Sequence, residues 1–236
     1  MSIVPAVTQD RALILEKVVK ALEERYGIPG KDSSSDPLEV LISTVLSQNT
    51  NDQNRDLAYE GLKQRFPQWE AILEADLEEI AEAIKVGGLS QQKAGRIKDI
   101  LHWVRETWGR LSLSPICELG TEEATEVLLG LRGVGFKTAY CVLAFGCGRG
   151  VFPVDTHILR ITKRLGLIAA EVTAEKAHGL LAPLVPTGRA ISLHLNLIRY
   201  GREICRARQP RCGLCFFPEL CTLPVEQRGE RGVVGR

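Results

Sequence analysis

The sequence predicts an all-α fold, and three observations predict it. Strand-like alternation of apolar and polar residues is nearly absent, whereas apolar residues recur at helical spacing. Capping residues precede several of these stripes and glycines follow them. A tight turn, Gly133-Val134-Gly135, lies between two helical stretches.

The first stripe is Ile14, Leu15, Val18, Val19 and Leu22, which predicts a helix ending before Gly27. Lys31 to Asp36 (KDSSSD) is a polar break and a candidate domain boundary; Asp36 as N-cap and Pro37 at the first helical position open a helix through Val40, Leu41 and Val45. Asp76 with Glu79 three residues later resembles a capping box for a short helix ending at Gly87 and Gly88. Ser90 can cap the next helix, which carries Ile97, Ile100, Leu101 and Trp108. Leu111 to Gly120 reads as loop, and Thr121 with Glu122 and Glu123 starts a helix reaching about Leu131. After the glycine turn comes an apolar helix from Ala139 to Phe145, then Ile158, Ile161 and Leu165 at helical spacing behind Val154-Asp155-Thr156-His157. The tail from Gln227 is rich in glycine and arginine, offers no core, and is expected to be disordered. There is no internal repeat and no low-complexity segment.

With 236 residues the chain can form one large domain or two small ones, and a formal net charge of +1 says nothing about nucleic acid. Any such partner must be argued from local clusters. No apolar run approaches the roughly 20 residues of a membrane span, and the N-terminus lacks a basic start followed by an apolar signal core, so the chain is expected to stay in the cytosol. Seven cysteines is an odd number, with Cys205, Cys212, Cys215 and Cys221 inside 17 positions and Cys117, Cys141 and Cys147 elsewhere. That pattern fits a reducing compartment better than a disulfide framework, and metal ligation is the leading reading. Spacing alone leaves zinc and an iron-sulfur cluster both open, because each accepts tetrahedral sulfur ligation.

The glycine turn carries the chemistry. Gly133 and Gly135 permit backbone angles that other residues resist, and they leave amides uncovered at the start of the second helix, where a phosphate can bind; they could also serve only as an interhelical turn. Lys137 falls in the first turn of that helix, where the positive end of the dipole favours the neutral amine that a nucleophile needs. Asp155, eighteen residues on, can cap the helix it precedes and also stabilise positive charge developing on a sugar. Arg199, Arg202, Arg206, Arg208 and Arg211 face one acid, Glu203, and form a local basic face around the cysteines.

At these residues the sequence resembles the helix-hairpin-helix DNA glycosylases of the endonuclease III type. Leu131 to Ala139 is similar to the family's LPGVGRKTA, Val154 to His157 to its VDTH, Leu46 to Asp52 to its LSAQATD, and Gly88 to Ala94 to its GLYNSKA. The Cys-x6-Cys-x2-Cys-x5-Cys spacing also occurs there. Arg132 replaces a usual proline, Phe136 a usual arginine, and Asn49 stands where the family has a glutamine that fills the gap left by an extruded base.

The resemblance implies two helical domains, 30–149 with the hairpin and 1–29 plus 150–225 with the cysteines, and a DNA cleft between them that brings Lys137 and Asp155 face to face. It implies a [4Fe-4S] cluster on Cys205, Cys212, Cys215 and Cys221, and a bifunctional glycosylase and abasic-site lyase acting on oxidised pyrimidines in duplex DNA as a monomer. Lys137 would be the nucleophile and Asp155 its partner; Gly133 and Gly135 would bind phosphate, and Asn49 or Gln48 with Leu89 would fill the gap in the duplex. His157 would touch DNA or else cap or pack its helix. Rival readings are a glycosylase of the same fold for mismatched thymine, uracil or alkylated bases, a catalytically silent DNA-binding or redox-sensing module, and a zinc-stapled helical adaptor. The Lys137 and Asp155 pair weighs against the silent module, and the colour of the purified protein separates a cluster from the zinc-stapled adaptor.

Overall fold

The structure is a computed structural model that describes residues 6–29, 35–224 and Arg228. Among the described residues every regular element is helical, as the spacing predicts. The boundary segment 30–34 and almost all of the tail from Gln227 lie outside them. The chain divides into two compact units, 32–149 and a discontinuous one built from 1–31 and 150–236. No described helix is long and apolar enough to cross a membrane.

In the continuous unit, α2 (Pro37–Leu46) starts where Asp36 Oδ1 accepts hydrogen bonds from the Leu38 and Glu39 amides at 2.8 and 3.2 Å. Seven of its ten residues are buried, and it packs against α3 (Asp52–Arg65), α6 (Ser90–Trp108), α8 (Phe136–Cys141) and the turn that follows α8. This makes α2 the central rod. Burying its Leu38, Leu41, Ile42, Val45 and Leu46 contributes on the order of 2 kcal/mol per side chain. Around it lie α4 (Trp69–Glu74), α5 (Leu77–Ala83) and α7 (Thr121–Leu129).

Four local expectations need correction. Asp76 sits at the N-cap of α5 but its side chain makes no capping bond, and Glu79, the other half of the capping box, instead pairs with Arg65 Nη2 at 2.6 Å. That helix stops at Ala83, and a 3-10 turn over Lys85–Gly87 completes the approach to Gly88. Ser90 is the first helical residue of α6 rather than its cap; the cap position is Leu89, held in the left-handed region at φ 50°. The helix after the hairpin begins at Phe136 and relaxes into a π turn over Val142–Gly146, where Gly146 meets Pro37 so closely that a Cβ would lie 2.7 Å from Pro37 Cα.

The cysteines bring a further correction. Cys117 and Cys147 form a disulfide, their Cα atoms 5.1 Å apart, because the fold returns the end of the π turn to the loop before α7. Arg149 closes the same corner by donating to Thr121 Oγ1 and the Cys117 carbonyl at 3.0 Å each, and to the Leu119 carbonyl.

In the discontinuous unit, α1 (Ala6–Tyr26) lays Leu15, Val18, Val19 and Leu22 against α11 (Ala190–Glu203), and α11 packs on α9 (Thr156–Arg164). Phe152, Ile158, Ile161, Leu197 and Phe217 complete that core, and α10 (Ala174–Leu181) flanks α9. Gly201 is required there: a Cβ would come within 2.8 Å of His157 Nδ1.

Candidate active site and cysteine centre

The hairpin between α7 and α8 is fixed by its own backbone. The Val134 amide donates to the Leu131 carbonyl at 3.0 Å, and Leu131 and Val134 are buried while Gly133 and Gly135 are exposed. Gly133 has φ +83°, and a Cβ on it would strike Arg96 Nε at 2.7 Å, so conformation and space both demand glycine. Gly135 is the N-cap of α8 and offers the first turn no side-chain cap. Lys137 follows in the first turn, half-buried, with Thr138 and Ala139 buried behind it.

Two side chains lock a neighbouring segment to this hairpin. Gln48 Nε2 donates to the Gly133 carbonyl at 3.0 Å, and Gln48 Oε1 accepts from Arg96 Nη1 at 2.6 Å. Both ends of the amide are engaged. Asn49, its neighbour, is exposed and left-handed at φ 54°, and Asn51 then caps α3 through the Asn54 amide at 2.9 Å. Leu89 is 53 % exposed at φ 50°. Asn49, Leu89 and Gln209 are the positive-φ residues other than glycine among those described, and a leucine there is strained. Lys93, which sequence reasoning missed, donates from Nζ to the carbonyls of Leu46 and Gly87 at 2.7 and 2.8 Å.

Asp155 belongs to the discontinuous unit. It caps α9, Oδ1 accepting from the Ile158 amide at 2.8 Å, and a cap uses only one of the two carboxylate oxygens. The extended run before it is tethered by two buried histidines. His178 Nε2 accepts from the Val154 amide at 3.1 Å, and His194 Nδ1 donates to the Pro153 carbonyl at 2.9 Å. Burial pushes the His178 ring below its ordinary pKa, as a ring that accepts a backbone N–H requires. His157 is half-buried against Gly201, with Nδ1 3.1 Å from Arg160 Nη2, and burial lowers its pKa as well.

Cys205, Cys212, Cys215 and Cys221 line one apolar cavity together with Ile161, Leu165, Tyr200, Ile204 and Leu223. Their sulfurs meet hydrogen-bond donors: Arg164 Nη1 lies 3.3 Å from Cys205 Sγ, the Phe217 amide 3.3 Å from Cys215 Sγ, and the Tyr200 hydroxyl 2.9 Å from Cys215 Sγ. Among the described residues no three Cys, His, Asp or Glu side chains converge tightly enough for a single ion. Two arginines of α9 hold the loop. Arg160 Nη2 donates to the Cys205 carbonyl at 2.8 Å, and Arg164 Nη1 to the Arg206 carbonyl at 2.7 Å. Arg206, Arg208 and Arg211 are exposed on the loop, but Arg199 does not join them: it pairs with Glu203 at 2.9 Å and lies 4.5 Å over the Tyr26 ring.

Residues 42–186 match the model of the HhH-GPD superfamily, described as base excision DNA repair proteins. An endonuclease III of Thermotoga maritima is 32% identical over 223 residues, covering 94% of this chain and 99% of that protein. An endonuclease III of Synechocystis sp. is 33% identical, covering 87% of this chain and 90% of its own length. Among solved structures, a non-covalent endonuclease III–DNA complex superposes with a TM-score of 0.76 at 24% identity, covering 89% of this chain and 95% of that one.

Proposed function

The chain belongs to the HhH-GPD superfamily of base excision DNA repair proteins, and from that premise we propose that it is a bifunctional DNA glycosylase and abasic-site lyase that excises oxidised pyrimidines from duplex DNA. The observation that carries this reading is Lys137 in the first turn of a helix whose preceding glycines leave backbone amides open to a phosphate.

In this reading the duplex is bent and the damaged nucleotide extruded. Amides at Gly133 and Gly135 grip the backbone, and Asn49 and Leu89 enter the space left in the stack. Gln48, held between Gly133 and Arg96, positions the hairpin rather than filling the gap. Lys137 Nζ forms a bond to the sugar C1′ as the glycosidic bond breaks and the base leaves with the electron pair. The resulting Schiff base permits β-elimination, which cuts the strand 3′ to the site. Asp155 takes the lysine's proton and stabilises the cationic sugar, and this requires both residues to reach one sugar. His157 packs α9 against Gly201.

The donor set of the cysteine cavity fits a [4Fe-4S] cluster. Four thiols line one apolar space, and the Arg164 guanidinium and the Phe217 amide each donate to a sulfur, the acceptor a thiolate ligand presents. The cluster, when bound, supplies a rigid brace for the 205–221 loop. Arg206, Arg208 and Arg211 on that loop then meet phosphates. The enzyme works as a monomer on DNA inside the cell.

A panel of duplexes with single defined lesions tests the reading. Oxidised pyrimidines should be released with strand cleavage, and Lys137→Ala should lower that rate by roughly 10³-fold or more, as loss of a covalent nucleophile does. Excision of mismatched thymine or alkylated purines in preference to oxidised pyrimidines would overturn the substrate class.

A further inference from the structure

Lys93 is 1% exposed, yet it carries an ammonium and no carboxylate is among its hydrogen-bond partners. A buried charge with only carbonyls for company costs stability, so what it holds together matters. Leu46 ends α2 two residues before Gln48 and three before Asn49, and Gly87 ends the 3-10 turn two residues before Leu89. The Lys93 amide also donates to the Leu89 carbonyl at 2.9 Å, which fixes that left-handed residue from its other side. Gly87 is clamped too: a Cβ on it would lie 3.1 Å from Ala58 Cβ and 3.8 Å from Lys93 Nζ. One ammonium thus joins the roots of two segments that are far apart in sequence, and each ends in a left-handed residue. A hydrophobic side chain could fill the same space but could not bond both carbonyls.

We propose that Lys93 is a positioning residue for base extrusion, which sets the separation of Asn49 and Leu89 so that both enter the duplex together. The proposal rests on the glycosylase reading above. Lys93 touches no reacting atom, so its contribution should appear where extrusion is difficult and vanish where it is easy. Burial, and then the neighbouring Arg96, lower the Lys93 pKa, since no carboxylate among its hydrogen-bond partners offsets them.

The test is single-turnover excision by Lys93→Met on two duplexes, one with the lesion fully paired and one with the same lesion opposite an abasic analogue, where little unpairing is needed. Thermal unfolding and borohydride trapping on a preformed abasic duplex serve as controls. The expected result is a loss of roughly tenfold or more on the paired lesion, within about threefold of the wild type on the unpaired one. An equal loss on both duplexes, or no loss on either, overturns the role. If Lys93→Met does not fold, Lys93→Gln, which keeps one donor, is put through the same comparison with the same two outcomes. A wild-type chain that excises no lesion would instead remove the glycosylase reading itself.

Discussion

Asn49 and Gln48 are adjacent amides, and only their surroundings separate them. Both ends of the Gln48 side chain are bonded within the fold, whereas Asn49 is exposed on a left-handed backbone. Asparagine tolerates that region better than most residues because its short side chain can bond locally. Leucine does not, so the strain at Leu89 must be held by its surroundings, among them the Lys93 amide and ammonium. At this scale the glycine hairpin, the Asp155 cap and the grouping of the four cysteines were legible, since each belongs to a short run whose spacing fixes it. Lys93, Arg96 and His178 were not, because they bond to partners 47, 48 and 24 residues away, farther than any local pattern reaches. Two traces of Lys93 stand in the sequence: it falls on the lysine of the GLYNSKA-like run, and it lies beside Ala94, Ile97, Ile100 and Leu101 on the apolar stripe of α6.

Helix identity followed from apolar period, while helix ends depended on partners that the period does not encode. Glu79 pairs with Arg65 rather than closing a capping box, and Ser90 could cap α6 only if its own backbone were extended rather than helical. The entry to α9 shows the same dependence: the approach from Pro153 to Asp155 is held by a histidine of α10, through His178 Nε2 on the Val154 amide. That bond makes stability depend on pH. His178 titrates below its ordinary value in the folded protein and at about 6.5 when unfolded. As pH falls through about 6.5 the unfolded chain takes up a proton that the folded one refuses, so stability drops until the folded value is reached. His157 is shifted in the same direction and adds to the slope. Denaturant midpoints measured between about pH 7.5 and 5 should therefore fall less steeply for His178→Gln than for the wild type, and the variant should be weaker by roughly 1–3 kcal/mol at neutral pH. Identical slopes would show that His178 is not the titrating group.

One of the molecule's two units is discontinuous in sequence, with α1 completing a core whose other helices come more than 120 residues later. Composition alone could not choose between one domain and two; the packing of α1 on α11 and the separate burial around α2 distinguish the units. The cysteine cavity belongs wholly to the discontinuous unit and the hairpin wholly to the other, so brace and nucleophile can be removed independently. Cys215→Ser should lose iron and broad visible absorption, and Lys137→Ala should keep both; a colourless wild-type protein carrying one zinc would sink the cluster assignment. The account as a whole depends on a covalent bond between Lys137 and the sugar, and borohydride reduction in the presence of a duplex bearing an oxidised pyrimidine, followed by peptide mapping of the adduct, tests that bond directly. A stable adduct on Lys137, absent from Lys137→Ala, is the predicted result; no adduct during active excision, or one mapped to another residue, would contradict it.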